Sequence, residues 1–292
     1  MTSRSKDTLP WWARIGAKMI LARTPVGYSL WQRLGLFRHG DMDAASYLKS
    51  VFDRHIAAAE LGGGLAGRTI LELGPGDSVG TAILAACHGA STVLIDAGAF
   101  VVTDVRVYQR LAEELAGTGL NPPDLVGAKS LDDVLDACRA KYLPRGLASF
   151  EALESESVDL IFSQAVLEHV RKHEFLSTMA ECRRVIKPTG ICSHRVDLMD
   201  HLGGGLNNLR FSERAWESDF FVKSGFYTNR IRCAEMLDLF QQAGFAVEVR
   251  ATELWETLPI SRSRLDTRFS SLGDEELRIK SFDAVLRPAS RT

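Results

Sequence analysis

One stretch constrains this chain more than any other: Thr69-Ile70-Leu71-Glu72-Leu73-Gly74-Pro75-Gly76-Asp77-Ser78, an apolar run that halts at two glycines and passes into helical spacing. Glycine supplies the backbone of a tight turn and lets a ligand approach main-chain N–H groups at a helix amino terminus. Val79, Ala82, Ile83 and Ala86 share one face of a helix predicted at about 79–88, and Ser91–Asp96 reads as a buried second strand closing on a carboxylate. This succession opens a parallel sheet that takes its ligands at the carboxyl ends of its strands.

The alternation continues. Tyr108, Leu111, Ala112 and Leu115 repeat at helical spacing, as do Leu131, Val134, Leu135 and Cys138 behind a cap at Ser130. Leu147–Phe150 reads as a third strand and Val158–Phe162 as a fourth. A helix through Phe175, Met179, Cys182 and Ile186 is stopped by Lys187-Pro188-Thr189-Gly190. Ile191–Val196, a helix at 233–243, Ala246–Ala251 and Phe282–Leu286 complete the pattern. The expected fold is α/β: a doubly wound, mostly parallel, seven-stranded Rossmann-like sheet with helices on both faces. Residues 1–60 read as a basic helical amino-terminal cap and 61–292 as the sheet domain, with an aromatic-rich insertion at about 197–232.

Charge is uneven. Residues 1–40 hold seven Lys and Arg against one acid, so within a net charge of −2 the rest of the chain carries −8. That balance gives no chain-wide basic field for nucleic acid, and none is expected as a partner. Trp11, Trp12, Ile15, Met19 and Ile20 share one helical stripe with Arg14 and Lys18 on another face, which makes residues 10–37 a candidate for peripheral membrane contact. Five cysteines without a CxxC pair point to buried thiols in a reducing, cytoplasmic setting, associated with the membrane only if the arm docks there, and to no metal ligand set.

Asp96 stands where a carboxylate can accept both hydroxyls of a ribose, which suggests a nucleoside-type ligand. Counting from Gly74, Val79 occupies the third glycine position of a dinucleotide fingerprint, and its side chain would crowd a pyrophosphate. That argues against a nicotinamide cofactor.

Glu72-x-Gly74-x-Gly76, the strand-terminal Asp96 and the run Val158-Asp159-Leu160-Ile161-Phe162-Ser163-Gln164-Ala165-Val166-Leu167-Glu168-His169-Val170 resemble the class I S-adenosylmethionine-dependent methyltransferases, as does Arg184-Val185-Ile186-Lys187-Pro188-Thr189-Gly190. The resemblance spans about residues 68–196 and implies S-adenosylmethionine as cofactor. It implies that Glu72 orients the glycine loop and the cofactor's amino group. Gly74 and Gly76, with Asp77 and Ser78 behind them, would line the methionine portion. Asp96 and the adjacent Ala97 would hold the ribose, Ala148 and Ser149 the base, and Ser163 and Gln164 would flank the sulfonium. The family's frequent third glycine is Ser78 here, and no acid follows the third strand.

Methyl transfer from a sulfonium needs alignment more than covalent help, and a base matters mainly for hydroxyl acceptors. His169 and His194 are the candidate catalytic residues, with Asp197 and His201 nearby in sequence. Arg210, Glu213, Arg214, Arg230 and Arg232 either bind an acidic or sugar substrate or pair among themselves, and the insertion's aromatics either stack on an acceptor or hold the insertion in place. The expected activity is methyl transfer to a small-molecule, sugar or lipid-linked acceptor. The alternative is a non-catalytic binding module of the same fold, docked through its basic amino-terminal helix.

Overall fold

The structure, a computed structural model, describes residues 44–290; the basic arm and its expected membrane-facing stretch at 10–37 lie outside the described residues. Helix α1 (Ala45–Ala59) leads into β1 (Thr69–Leu73), α2 (Gly80–Cys87), β2 (Ser91–Ile95), α3 (Val105–Gly117), α4 (Leu131–Ala137) and β3 (Ala140–Leu143). Then come β4 (Val158–Gln164), α5 (Phe175–Val185) and β5 (Ile186–Asp197). Two short helices, α6 (Glu213–Trp216) and α7 (Asp219–Val222), precede α8 (Cys233–Gln242) and β6 (Phe245–Leu254). Two more, α9 (Thr267–Ser270) and α10 (Asp274–Leu277), precede β7 (Ile279–Pro288).

Among the described residues the strands form one seven-stranded sheet in the order β3-β2-β1-β4-β5-β7-β6. Strands β1 to β5 pair in parallel, and β7 runs antiparallel to both of its neighbours. The expected doubly wound, mostly parallel sheet is therefore the observed one. The order reverses at β1, with β2 on one side and β4 on the other, so the carboxyl ends of these three strands frame the crevice where such sheets bind ligands.

Alternation along the central strands explains the two cores. Ile70, Leu94, Leu160 and Phe162 face one cluster with Leu48, Ile83 and Leu111. Their neighbours Leu71, Ile95 and Ile161 face the other, with Met179, Cys182 and Phe240. Helix α4 starts where the sequence places its cap: the Ser130 hydroxyl accepts the Asp133 N–H at 3.1 Å, and the Asp133 carboxylate accepts the Ser130 N–H at 2.9 Å. All five cysteines are free thiols, four of them buried.

The third strand is a correction. Leu147–Phe150 lies in a 3-10 turn spanning Gly146–Ala152, and the strand is Ala140–Leu143. As an edge strand, β3 buries little and tolerates Lys141 and Tyr142, which hides its apolar pattern. The spacing of Leu147 and Phe150 is that of a helical turn, with Phe150 buried.

The insertion packs on itself. Trp216, fully buried, stacks on Phe221 with ring centroids 4.9 Å apart and on Phe211 at 5.4 Å, and its indole N–H donates to the Thr228 carbonyl at 2.7 Å. Leu206 and Leu209 join Ile260, Leu265, Phe269 and Leu277 in a further cluster, so the stretch between β6 and β7 supports the insertion from below.

Candidate functional site

The glycine turn and the end of β2 are tied together. Gly74 and Gly76 adopt φ of 70° and 64°, in the left-handed region that glycine enters without strain. The Gly74 N–H donates to the Ile95 carbonyl at 2.8 Å, and the Gly76 N–H donates to Asp96 Oδ2 at 3.1 Å. Asp96 Oδ1 accepts the Ala97 N–H at 2.7 Å. A Cβ at position 74 would stand 2.5 Å from Val166 Cγ2, so the turn after β4 closes on the glycine loop too tightly for any side chain there. Ser78 is spent locally: its hydroxyl accepts the Gly80 N–H at 3.0 Å at the start of α2.

Glu72 is buried in β1, on the face that carries Ile70. Burial, reinforced by the Asp96 charge, raises its pKa to about 8, and its Oε2 has no hydrogen-bond partner.

Several expected contacts take other partners. Ser149 accepts the Arg145 N–H at 3.0 Å and donates to the Leu143 carbonyl at 2.8 Å, fully buried, so its hydroxyl fixes the turn after β3 rather than meeting a base. Ala148 is exposed beside it. Ser163 and His194 face each other across β4 and β5, with Ser163 Oγ 2.8 Å from His194 Nδ1. His194 is 1% exposed against Phe240, and burial lowers its pKa to about 3. The expectation that His194 and Ser163 line the crevice is thereby corrected: both point into the core beneath it.

On the opposite face, His55 of α1 supports Gln164. Its Nε2 lies 3.3 Å from Gln164 Oε1 and its Nδ1 2.8 Å from Ser193 Oγ. The ring stacks on Phe162 at 4.8 Å, and burial lowers its pKa to about 4. A neutral ring donating to the Gln164 carbonyl and accepting the Ser193 hydroxyl satisfies both contacts. His55 is not among the candidate site residues that the sequence offers. The signal that would have found it is its spacing with Leu48, Phe52 and Ala59, which puts the imidazole on the helix's buried face.

The turn after β4 and the segment after β5 meet beside the crevice. Ala165 takes a left-handed φ of 54°, and its N–H donates to the Arg195 carbonyl at 2.9 Å. Asn229 clamps the turn, its Nδ2 donating to the carbonyls of Leu167 at 2.8 Å and Val170 at 3.0 Å. His169 is exposed, with Nδ1 2.8 Å from the Tyr227 carbonyl. A carbonyl only accepts, so Nδ1 carries the proton and Nε2 the lone pair in the neutral ring. The ring of His201 meets it edge-on at 4.7 Å. Asp197, at the end of β5, accepts the Met199 N–H at 2.8 Å, and burial raises its pKa.

The buried arginines are structural. Arg230 donates to the Phe211 carbonyl at 2.6 Å and to Glu213 at 2.7 Å, and lies over the rings of Trp216 and Phe269. Arg232 donates to the carbonyls of Leu198 at 2.9 Å and Ile279 at 2.7 Å. Arg210 bonds Asn207 at 3.0 Å, and Arg214 is exposed.

Residues 71–193 are matched to the family described as the methyltransferase domain. No curated protein matches the sequence. Among solved structures, the chain is similar to Haemonchus contortus phosphoethanolamine N-methyltransferase 2 in complex with phosphomonomethylethanolamine and S-adenosylhomocysteine. The identity is 14% and the TM-score 0.45, over 82% of this chain and 53% of that one. This chain thus spans about half the length of the Haemonchus enzyme. It is also similar to a putative sarcosine dimethylglycine methyltransferase from Galdieria sulphuraria (14% identity, TM-score 0.43, 84% of this chain and 85% of that one). A third is the YcgJ protein from Bacillus subtilis (16% identity, TM-score 0.45, 82% of this chain and 98% of that one).

S-adenosylmethionine is the cofactor of this domain class, and the residues present fit it. Asp96, at the end of β2, accepts the Gly76 and Ala97 N–H groups, and a carboxylate at that place in such a sheet is suited to ribose hydroxyls. The unpartnered Glu72 Oε2 lies beside the methyltransferase domain's glycine turn, where an ammonium would complete it.

Proposed function

We propose that this chain uses S-adenosylmethionine to methylate a small-molecule, sugar or lipid-linked acceptor held at the carboxyl ends of β4 and β5, beneath the segment 197–232. The observation that carries this reading is the Gly76–Asp96 bond at 3.1 Å, which joins a backbone turn open to a ligand with a carboxylate able to take a ribose. When bound, the cofactor supplies an activated methyl on a positively charged sulfur.

The chain's own residues supply position. Gly74 and Val166 bring the β1 and β4 turns into contact, so the acceptor wall and the cofactor cradle move as one unit. Gln164, held by His55, stands at the end of β4 between them. His169, held through Nδ1 by the Tyr227 carbonyl on the turn after β4, is the side chain assigned to the acceptor.

The test is a screen of small-molecule, sugar and lipid-linked acceptors with methyl-labelled S-adenosylmethionine, run on wild type and on His169→Gln. Label transferred to an acceptor, with turnover lost in the variant while cofactor affinity holds, supports the reading. Cofactor binding with no transfer to any acceptor class points to the binding-module alternative.

A further inference from the structure

Glu168, His169 and His201 converge at the carboxyl edge of β4 and β5, with one ligand-capable atom from each lying within 4.8 Å of the others. Two separate connections bring them together, the turn after β4 and the segment after β5. Neighbouring ligands of a tetrahedral ion with bonds of about 2.1 Å stand roughly 3.4 Å apart, so binding an ion requires Glu168 and His201 to close on His169.

Glu168 points to what the cluster is for. It is 2% exposed, and neither carboxylate oxygen has a hydrogen-bond partner. The backbone N–H groups of Glu168 itself and Asp197 face it without reaching bonding geometry. Arg230 and Arg232 line the same small cavity as Glu168 and Asp197; their terminal nitrogens donate to main-chain carbonyls and Glu213, and the Nε of each has no hydrogen-bond partner. Neither arginine bonds Glu168, and a buried carboxylate whose oxygens have no hydrogen-bond partner is stabilised by a cation.

The imidazole beside it is prepared for the same task. The His169 Nδ1–H contact to the Tyr227 carbonyl fixes the ring and its tautomer, as the outer partner of a metal-bound histidine does. Two imidazoles and one carboxylate suit zinc, manganese, iron or cobalt rather than calcium or magnesium, and three protein ligands leave positions open for an oxygen donor.

We propose that Glu168, His169 and His201 bind a divalent transition-metal ion, whose open positions hold an oxygen of the acceptor. The second half rests on the methyltransferase reading above; the metal binding does not.

Full-length protein stripped with a chelator is titrated with Co2+, whose visible absorption reports its ligands, and in parallel with Mg2+. The expected result is saturation at one Co2+ per chain and no comparable Mg2+ binding. His201→Ala, at a half-exposed position, and Glu168→Gln should each weaken Co2+ binding by roughly 10–100-fold or more. His173→Ala, at an exposed histidine, should leave it unchanged. Thermal melting and titration with S-adenosylhomocysteine establish that each variant is folded. Absence of a saturable Co2+ spectrum, or equal affinity in wild type and His201→Ala, overturns the site. An unchanged affinity in Glu168→Gln does so as well, because Glu168 is then only a neutral buried acid. Co2+ binding without S-adenosylhomocysteine binding leaves the metal site standing and removes the acceptor half and the methyltransferase reading.

Discussion

Asp96 reaches back from the end of β2 to accept the Gly76 N–H at 3.1 Å, so one carboxylate holds the shape of the glycine turn and, in the proposed function, also takes a ribose. The two roles separate experimentally. Asp96→Ala orphans the N–H groups of Gly76 and Ala97, and the loss of two hydrogen bonds to a charged acceptor should cost about 1–3 kcal/mol of stability before any ligand is added. Urea unfolding of the ligand-free protein measures it. A midpoint unmoved by the substitution would show that the carboxylate does not hold the turn.

Gly74 faces a steric limit rather than an electrostatic one. Gly74→Ala places a Cβ 2.5 Å from Val166 at a φ of 70°, so the β1 and β4 turns must separate. Overpacking of this kind costs about 1–3 kcal/mol. Val166→Ala should recover much of that loss in the double variant, and simple additivity of the two substitutions in thermal melting would refute the contact.

His55 gives a pH signature. Its pKa falls from 6.5 in the unfolded chain to about 4 when buried against Phe162, so protonation opposes folding. The stability this group contributes is complete above pH 6.5 and declines as pH falls toward 4, by up to about 3 kcal/mol. The stability difference between wild type and His55→Gln should therefore shrink between pH 7.5 and pH 4.5. Curves that stay parallel over that range would contradict the buried, neutral ring.

The parts legible in the sequence were those whose signal is local. Strands β1, β2 and β4 are continuous apolar runs ended by a glycine turn, an acid or a Ser-Gln pair, and the Ser130 cap announces α4. Edge strand β3 escaped because Lys141 and Tyr142 break its pattern while Leu147 and Phe150 nearby imitate one. At the site, Asp96 and the glycines could be read because their backbone demands are written in residue type. Spacing puts His55 on the buried face of α1, but its partners lie more than a hundred residues away, and Glu168 is distinguished only by the lack of any hydrogen-bond partner. The insertion's arginines and aromatics were chemically ambiguous until their partners proved to be main-chain carbonyls and one another.

Trp216 anchors that insertion. Removing its fully buried ring in Trp216→Ala should cost about 3–5 kcal/mol and release Arg230 from one of the two rings it lies over. Hydrogen exchange should show the loss concentrated in 202–232, with β1, β2 and β4 still protected. Uniform loss of protection across the sheet would mean that the insertion is part of the main core.

The central claim is that the cradle formed by Gly74, Gly76 and Asp96 holds an adenosyl group. Calorimetric titration of S-adenosylhomocysteine into wild type and Asp96→Ala tests it most directly. The account predicts one saturable site in wild type and an affinity lower by about 1–3 kcal/mol in the variant, the cost of leaving ribose hydrogen bonds to a charged acceptor unmade. No heat of binding in wild type, or equal affinity in the two proteins, would contradict it.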